Sequence, residues 1–453
     1  VAPGGNAASA HAPRMRQRTG TGTWSITMKL WPVTAAVAAA ACVFVGIVWV
    51  DNFRDGVDVS EAQVAPATAE QVARGAYLAR AGNCAACHTV RGGVPYAGGR
   101  GIETPFGTVF ASNLTPDPTH GIGQWTPAQF WRALHHGRSR DGRLLYPAFP
   151  YTSTTLVTRA DSDALLAYLQ SLPPATQTTP PHALRWPFRT QAALAVWRTL
   201  YFSPTGFQAD ISRPAAWNRG AYLVRGLGHC AACHSERNAL GAMRDAPDLA
   251  GGLIPMQNWY APSLASSAEA GVAHWPDAEV VRLLKTGVAA QGSATGPMAE
   301  VVLGSTQYLS DTDLAAMATY LKTLDTEAPP APATKLPPPP QPGDATAAKL
   351  YEQHCADCHG ARGEGIPGAY PALADNRAVT MASPVNLVQI VLHGGFAPAT
   401  QGNPRPFGMP PFMLTLNEQE VAAVLTHIRT HWGNQASAVS ELDVLRVRAN
   451  PGR

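Results

Sequence analysis

Cys84-Ala85-Ala86-Cys87-His88 is the first of three copies of the pentapeptide Cys-x-x-Cys-His in this chain. The other two are Cys230-Ala231-Ala232-Cys233-His234 and Cys355-Ala356-Asp357-Cys358-His359. This spacing is the attachment signature of c-type haem, in which two thiols add across the vinyl groups and the adjoining imidazole binds the iron. The motifs therefore predict three covalently bound haem c groups, each with two thioether cysteines and a proximal histidine. The alternative is a set of structural zinc or disulfide pairs, which would not repeat a His directly after the second Cys.

The composition indicates several small domains that are rich in loops. The 453 residues suffice for about three domains, and Gly and Pro number 41 and 40. Small loop-rich domains often need a staple, which a covalently held porphyrin would supply. The net charge of +3 is too slight to indicate nucleic acid as a partner. Six of the seven Cys belong to the haem motifs, so only Cys42 remains and no pair is left for a disulfide.

An apolar run from Val33 to Val50 lies near the start of the chain and is near the lower length limit for a membrane-spanning helix. Four basic residues precede it and orient its start to the cytoplasm, namely Arg14, Arg16, Arg18 and Lys29. We expect an uncleaved anchor over 30–51, because no small-residue pair suited to a signal peptidase follows the run. A removed signal peptide is the alternative, and lipidation at Cys42 is another. Residues 1–29 are expected to be a disordered or mis-started leader. Because haem c is attached outside the bacterial plasma membrane, we expect the rest of the chain on the periplasmic side.

The sequence around the three motifs also repeats. Short helices are expected to deliver the motifs, at Arg74-Gly75-Ala76-Tyr77-Leu78, Arg219-Gly220-Ala221-Tyr222-Leu223 and Ala348-Lys349-Leu350-Tyr351. Each repeat closes with a predicted helix, at 161–172, 311–324 and 417–432, and the expected N-caps of these helices are Asp161, Ser310 and Asn417. A first and a last helix that cross beside a haem are the arrangement of class I cytochrome c, which these repeats resemble.

A mainly α fold is therefore predicted, with three class I cytochrome c domains in tandem after an N-terminal transmembrane helix. The expected parts are the domains 64–172, 215–325 and 345–434, the linkers 173–214 and 326–344, and a tail at 435–453. The first linker is basic and aromatic, so it either lies in the membrane interface or packs as a helix between two domains. The second linker contains eight prolines and is typical of a semi-rigid spacer.

The first two repeats keep a common register. Three positions recur twelve residues apart in each, namely Asn113, Trp125 and Gly137 in the first and Ser263, Trp275 and Gly287 in the second. The segment from the Trp to the Gly predicts an amphipathic helix that ends at the glycine. The third repeat has a looser match, from Asn386 to His393. The recurring Trp, Asn and Ser are of types that commonly hold haem propionates, and core packing is the alternative for the Trp residues.

A second axial ligand, often Met, is expected for an electron-carrying haem. Met409 lies just before the last helix of the third repeat and Met298 just before that of the second, so these two are the expected ligands. The first repeat has Phe149 at the matching place, and no Met occurs between Met28 and Met243. The first haem therefore has an open sixth position or recruits another residue, the candidates being His120, His135 and His136.

Several phrases between the motifs resemble the three-haem cytochrome c subunits of bacterial membrane-bound dehydrogenases, and the resemblance covers about residues 64–434. These phrases are 111–117, 119–123, 145–148, 259–264, 296–302 and 305–311. The resemblance implies a catalytic dehydrogenase subunit as partner, a small third subunit as a further one, and electron transfer to ubiquinone in the membrane. The partner would be a PQQ alcohol dehydrogenase, an FAD sugar dehydrogenase, or a molybdenum aldehyde or N-heterocycle oxidoreductase. Alcohol-dehydrogenase-type members have a Met where this chain has Phe149, which inclines the expectation toward the molybdenum type.

By itself the chain is expected to be an electron-transfer subunit and not an enzyme. Two alternatives remain at this point. One is a haem enzyme of the peroxidase or reductase kind that uses an open first haem. The other is a cytochrome subunit of a terminal oxidase.

Overall fold

Helices dominate the structure, a computed structural model that describes residues 30–54, 66–243, 249–324 and 344–449. The mainly α fold class expected from the sequence is confirmed. The predicted leader at 1–29 and nearly all of the proline-rich linker at 326–344 lie outside the described residues. An apolar helix is followed by three helical units, each built around one Cys-x-x-Cys-His motif.

The apolar helix α1 spans Leu30–Phe53. Its segment Pro32–Phe53 has 22 residues, is apolar enough to cross a membrane and is not buried within the protein. By length and composition it is a candidate anchor, although a signal sequence would have the same properties. Asn52 is the exception near its end, because only 1% of this residue is exposed. Its side-chain amide donates hydrogen bonds to the Ala195 carbonyl and the Thr199 hydroxyl, both at 3.0 Å.

The first unit combines two long crossing helices with a small antiparallel sheet. Its elements are α2 (Ala69–Ala81), α3 (Cys84–His88), β1 (Gly101–Thr104), β2 (Gly107–Phe110), α4 (Pro127–His136), α5 (Tyr151–Thr154), α6 (Arg159–Gln170), β3 (Ala183–Leu184) and α7 (Gln191–Tyr201). The sheet order is β1-β2-β3. Leu78, Phe130 and Leu165 belong to the buried core, and Cys84 packs against it.

The second unit repeats this plan, with one inserted residue between its first helix and its motif. Its elements are α8 (Ala215–Tyr222), a π-helical turn (Leu223–Leu227), α9 (Ala231–His234), β4 (Gly252–Ile254), β5 (Trp259–Ala261), α10 (Asp277–Thr286), β6 (Val288–Ala289), β7 (Gly292–Ser293), α11 (Gly296–Gly304), a 3₁₀ turn (Thr306–Tyr308) and α12 (Asp311–Leu321). Tyr222 precedes Cys230 by eight residues, whereas Tyr77 precedes Cys84 by seven. The π-helical turn takes up the extra residue, so the motif still follows the first helix directly.

The third unit extends further along the chain than the sequence predicted. Its elements are α13 (Asp344–His354), α14 (Ala356–His359), α15 (Arg377–Thr380), α16 (Val385–His393), β8 (Gly395–Phe396), β9 (Gly408–Met409), α17 (Glu418–Thr430) and α18 (Glu441–Ala449). Helix α18 lies in the segment 435–453 that was expected to be a tail. Its Val444 and Val447 are buried in the core, and Arg448 donates a hydrogen bond of 3.0 Å to the Met413 carbonyl. This helix therefore belongs to the third unit.

Glycines allow the first and last helices of the first two units to cross closely. A Cβ placed on Gly75 of α2 would lie 1.9 Å from the carbonyl oxygen of Ala164 in α6. A Cβ on Gly220 of α8 would lie 2.0 Å from the carbonyl oxygen of Ala316 in α12. No side chain fits at either position, which explains the glycine in both copies of Arg-Gly-Ala-Tyr-Leu.

The predicted helix starts are correct in two of three cases. Ser310 and Asn417 are the N-caps of α12 and α17, as expected. The prediction that Asp161 caps α6 is wrong. Thr158 is the cap, and its hydroxyl accepts the N–H of Asp161 at 3.3 Å. Asp161 is the third residue of α6, in its first turn, and is buried, where Arg74 donates to its carboxylate at 2.7 Å.

Asp161 and its counterpart Asp313 tie the first two units together reciprocally. Tyr77 of the first unit donates to Asp313 of the second, and Tyr222 of the second donates to Asp161 of the first, both at 2.6 Å. Arg219 donates two further bonds of 2.8 Å to Asp313. Burial alone would raise the pKa of Asp313, but the hydrogen bonds from Arg219 and Tyr77 outweigh it and hold this pKa below its usual value. Each unit thus needs the other to complete its buried carboxylate.

The segment 173–214 packs as structure between its neighbours, which is one of the two alternatives for the first linker. Strand β3 pairs with β2 of the first unit. In α7, the Trp197 indole N–H donates to the Leu240 carbonyl of the second unit at 2.9 Å. The buried Arg198 donates to the side-chain oxygen of Asn52 in α1 at 2.9 Å. Helix α7 therefore links the apolar helix to the haem-motif units.

Candidate haem sites

The three motif histidines share one geometry. Each Nδ1–H donates to a backbone carbonyl, and burial lowers the pKa of each ring. A neutral imidazole whose Nδ1 carries the proton has its lone pair on Nε2, which is the form that binds iron. The acceptors are Ser112 for His88 (2.7 Å), Pro262 for His234 (2.7 Å) and Pro371 for His359 (3.0 Å).

A glycine fixes the backbone of each motif histidine from the other side. Its N–H donates to the histidine carbonyl in the pairs Gly98–His88 (2.8 Å), Gly251–His234 (2.8 Å) and Gly365–His359 (2.7 Å). All three glycines have left-handed φ angles, at 74°, 87° and 68°. A Cβ on them would lie 2.5 to 2.8 Å from the backbone segment that offers the carbonyl to Nδ1. These glycines were not predicted, and they hold the acceptor against the ring.

The motif cysteines sit at the edge of the hydrophobic cores. Burial raises the pKa of Cys84 and of Cys230 to about 12, and that of Cys355 to about 11. Each of these three thiols packs against the core of its own unit. Within the described ranges, no group of three or more His, Cys, Asp and Glu side chains is arranged to hold a metal ion. Buried thiols beside an apolar core and a neutral His fit a covalently attached porphyrin.

The predicted helices α4 and α10 end as expected, at Gly137 and Gly287, which are both left-handed. After each glycine the chain makes a short hairpin that brings it back to the glycine carbonyl. The Leu145 N–H donates to the Gly137 carbonyl at 2.8 Å, and the Ala294 N–H donates to the Gly287 carbonyl at 2.7 Å. These two bonds are equivalent, although the hairpin of the first unit has one more residue.

The hydrogen bond to the glycine carbonyl gives a common reference point for comparing Phe149 in the first unit with Met298 in the second. Phe149 lies four residues after the first of these donors, and Met298 lies four residues after the second. The Met298 side chain packs against the core that Cys230 also contacts. The Met409 side chain packs in the same way against the core that Cys355 contacts. The structure thus brings both predicted methionines to the core of the correct motif and gives the first unit a phenylalanine instead.

The three histidine candidates of the first unit are engaged elsewhere. His120 belongs to a turn in which its backbone N–H donates to Asp117 at 2.6 Å and its Nδ1 lies 3.2 Å from the same carboxylate oxygen. His135 stacks on Trp131 with ring centroids 4.4 Å apart. His136 meets the same Trp131 ring edge-on at 5.4 Å. Stacking engages the ring face of His135, and its Nδ1 is buried without a hydrogen-bond partner among the described residues.

The recurring polar positions have local structural roles. The Asn113 side-chain oxygen accepts the Thr115 N–H at 2.8 Å, and the Ser263 hydroxyl accepts the N–H two residues further on at 3.2 Å. Both side chains thus hold the turn that follows the carbonyl acceptor of the motif histidine. Trp275 is buried in the second core, and Trp125 packs against the first. Both indoles therefore pack in or against the core of their unit.

The first two motifs lie against each other. The ring of His229, which directly precedes the second motif, contacts the carbonyl of Gly82 beside the first motif at 3.2 Å. Burial raises the pKa of Cys233, Arg237 opposes this effect, and the nearby Cys87 thiol adds to it. The cysteine sides of the two motifs are therefore neighbours.

The third unit contacts the second unit at Trp275, which belongs to the core that Cys230 also contacts. The Arg377 guanidinium lies 4.9 Å from the centre of the Trp275 ring and donates to two backbone carbonyls of the second unit, both at 2.7 Å. Asn386 and the backbone of Tyr260 exchange two hydrogen bonds, at 2.7 and 2.9 Å. The second unit therefore touches both of its neighbours close to its own site.

Crossing helices, a cysteine pair whose first member packs against the core, and a histidine fixed through Nδ1 together define a c-type cytochrome unit. A model of the cytochrome c family matches residues 72–173, 218–325 and 345–432. The chain therefore belongs to the cytochrome c family, whose domains hold covalently bound haem c.

The chain is also similar to several cytochrome subunits along most of its length. It is 38% identical to the cytochrome c subunit of an alcohol dehydrogenase (quinone) from Gluconacetobacter polyoxogenes, over 85% of this chain and 86% of that one. It is 38% identical to the gluconate 2-dehydrogenase cytochrome c subunit of Pantoea cypripedii, over 83% and 89%. It is 40% identical to one of the subunits of the nicotinate dehydrogenase of Pseudomonas putida, over 86% of this chain but 34% of that longer protein. The resemblance predicted from the linking phrases is confirmed.

Proposed function

We propose that this chain is a three-haem c-type cytochrome that carries electrons for a membrane-bound dehydrogenase. The observation that carries the proposal is one geometry repeated three times, in which a cysteine packs against the core and the motif histidine is held through Nδ1. When bound, haem c supplies a one-electron redox couple. The thioether residues are Cys84, Cys87, Cys230, Cys233, Cys355 and Cys358, and the iron ligands are His88, His234, His359, Met298 and Met409. The three units are taken as tandem class I cytochrome c domains, at 64–172, 215–325 and 345–449.

The second unit is proposed to be the middle of the relay. Its motif adjoins the first at the contact between His229 and Gly82, and its core residue Trp275 contacts Arg377 of the third unit. These buried contacts hold the sites at fixed separations, which is the contribution that the protein makes to electron transfer between cofactors.

The electron donor is proposed to be a separate catalytic dehydrogenase subunit, with a small third subunit as a further partner. We favour a molybdenum aldehyde or N-heterocycle oxidoreductase, because Phe149 departs from the alcohol-dehydrogenase type. The identity of 40% to a nicotinate dehydrogenase subunit supports this choice. A PQQ alcohol dehydrogenase and an FAD sugar dehydrogenase are the other outcomes of the test below.

The chain is proposed to remain anchored in the plasma membrane by α1, with its haem units on the periplasmic side. The buried Arg198 donates a hydrogen bond to the side chain of Asn52, so removing α1 would leave a buried cation without this acceptor. We expect the mature protein to keep α1, and Asn52→Leu to weaken the packing between α1 and α7. A mature N-terminus located after residue 54 would exclude a retained anchor.

Ubiquinone is the proposed acceptor. A cavity of about 200 Å³ lies where α7 of the first unit meets the second unit and is lined by Trp197, Tyr201, Phe202, Arg237 and Ala232, the last from the second motif. Aromatic walls suit a quinone ring, and the positive charge of Arg237, whose terminal nitrogens donate to the Gly241 and Ala232 carbonyls, lies beside it. Trp197→Ala is expected to slow quinone reduction while the haems are still reduced through the partner. Unchanged quinone reduction in that variant would exclude this cavity.

Purification of the full chain from its membranes tests the proposal directly. We expect three covalently bound haems per chain by mass spectrometry and haem assay, a copurifying catalytic subunit, and haem reduction by the substrate of that subunit. The identity of the companion decides between the partner types. Fewer than three haems, turnover of an alcohol or aldehyde by this polypeptide alone, or copurification with a copper–haem oxidase would contradict the proposal.

A further inference from the structure

The first haem site differs from the other two on its distal side. We propose that no side chain of this protein fills the sixth coordination position of the first haem, and that this position binds small neutral ligands such as carbon monoxide. Met298 and Met409 close the equivalent positions of the second and third haems. The inference rests on the haem assignment proposed above.

The structural register identifies the residue responsible. The hydrogen bonds that close the hairpins after α4 and α10 align Phe149 with Met298 along the backbone. A phenyl ring has no lone pair to offer to iron, whereas the thioether of Met has one. Phe149 makes its ring contact with Tyr151, at 6.4 Å between centroids. Counted from this hydrogen bond, the first unit therefore has Phe149 where the second has Met298, although Phe149 precedes α5 and Met298 lies within α11.

Among the described residues, no other sulfur or amine is placed to substitute. The sequence contains no Lys between Lys29 and Lys285, so the first unit has no amine ligand. The next methionine along the chain, Met243, packs against the second core, and its backbone pairs with that of Arg237. Met243 therefore belongs to the second unit.

The two histidines of α4 point away from the first core. Residues on a helix are separated by about 100° per position, so Phe130 and Leu134 share one face. Both of these side chains pack in the core that Cys84 contacts. His135 instead shares a face with Trp131, on which it stacks, and His136 lies a further position round. Both imidazoles therefore contact Trp131, which lies on a side of α4 other than the core face.

The other two histidines near the first unit are excluded by their position and their protonation. His120 lies in the turn from Thr115 to Ile122, which follows directly on the carbonyl acceptor of the proximal His88. It is thus tied to the proximal side. His182 accepts the backbone N–H of Phe110 at Nδ1, at 3.1 Å. The proton of its neutral ring must then lie on Nε2, which leaves no lone pair there for iron.

Carbon monoxide binding to the full-length protein tests the inference. The detergent-solubilised three-haem chain is reduced and titrated with carbon monoxide, and bound ligand is compared with total haem. We expect one carbon monoxide for every three haems. Phe149→Met should abolish this binding, add a methionine-to-iron charge-transfer band and raise the lowest of the three reduction potentials, because a thioether ligand raises the potential. Phe149→Leu is the matched control and should bind carbon monoxide as the wild type does.

A second variant keeps the test decisive if Phe149→Met loses its haem. Met298→Phe copies the first site onto the second and should raise the stoichiometry to two carbon monoxide molecules per three haems. A wild-type protein that holds three haems and binds no carbon monoxide would overturn the inference while leaving the electron-carrier function intact. The same holds if Phe149→Met leaves the stoichiometry unchanged. A haem count below three would instead contradict the proposed function.

Discussion

The glycines that face the motif histidines should tune the haems individually. In Gly98→Ala, the new Cβ would lie 2.5 Å from the carbonyl carbon of Ser112, whereas ordinary contact begins at 3.4 Å. The Ser112 backbone would therefore have to retreat by about 0.9 Å. Its carbonyl now lies 2.7 Å from Nδ1 of His88, so a retreat along that line would carry it to about 3.6 Å and break the hydrogen bond.

The size of the effect follows from that bond. When the nitrogen of an imidazole that does not bind the metal donates a hydrogen bond, the metal-bound nitrogen becomes more basic. This favours the oxidised metal. A net hydrogen bond contributes about 1 kcal/mol. If most of it is expressed as a preference for the ferric state, its loss raises the one-electron reduction potential by about 40 mV. The left-handed φ of 74° adds a stability cost of about 1 kcal/mol for any residue with a Cβ.

A spectroelectrochemical titration of the three-haem protein measures the shift. Gly98→Ala, Gly251→Ala and Gly365→Ala should each raise a different one of the three potentials. Gly142→Ala is the matched control, because its φ is 85° but its nearest neighbouring atom is 3.7 Å away, on the flexible Arg138 side chain. That control should lose stability without moving any potential. The reasoning would be refuted by variants that retain their haems with unchanged or lowered potentials, or by a control that shifts as far.

Three further outcomes are expected in the first two units. Gly220→Ala places a Cβ 2.0 Å from the Ala316 carbonyl oxygen and should lower the free energy of unfolding by about 3 kcal/mol in a denaturant titration. In Gly226→Ala the nearest atom to the new Cβ is 3.6 Å away, so the free energy of unfolding should change by less than about 1 kcal/mol. Equal losses of unfolding free energy in the two variants would contradict the steric argument. Tyr77→Phe removes a donor from the buried carboxylate of Asp313 and should cost about 1–2 kcal/mol in the same titration, so an unchanged midpoint would count against that bond. Because the pKa of Asp313 is held below its usual value, its ionised form stabilises the fold above the unfolded-state pKa of about 3.9, and that stability is lost as the pH falls through the folded-state pKa. Asp313→Asn should therefore show a flatter loss of stability below about pH 4, and parallel acid-denaturation curves would exclude the linkage.

Features encoded by local sequence could be predicted. The haem motifs, the helices that close each repeat and the glycine ends of α4 and α10 depend on neighbouring residues, and the structure has these helices where they were expected. Met298 and Met409 could be chosen because they precede a last helix, and both pack at the core of the expected motif.

Features set by distant contacts could not be predicted. The glycines that hold the motif histidines lie ten, seventeen and six residues after them, at Gly98, Gly251 and Gly365. Loop length costs little free energy, so loops of different length close onto the same contact and leave no common spacing. Asp161 was mistaken for an N-cap for a related reason. Its side chain serves Tyr222, which is 61 residues away in the next unit, and no local pattern reports such a partner.

The first two repeats share the phrase Arg-Gly-Ala-Tyr-Leu, which the third lacks, and the contacts of this phrase explain the difference. Arg-Gly-Ala-Tyr-Leu in the first two repeats supplies a close helix crossing and a tyrosine that reaches the carboxylate of the other unit. In the third repeat, Tyr351 donates to the carbonyl of Gly360 in its own unit, at 2.7 Å. The third unit instead meets the second through Arg377. Because each of the first two units completes the buried carboxylate of the other, a change at Asp161 or Asp313 must be felt by both, while the core of the third unit is closed by its own helices. The first two haem sites are therefore one structural pair to which the third is joined across a polar contact.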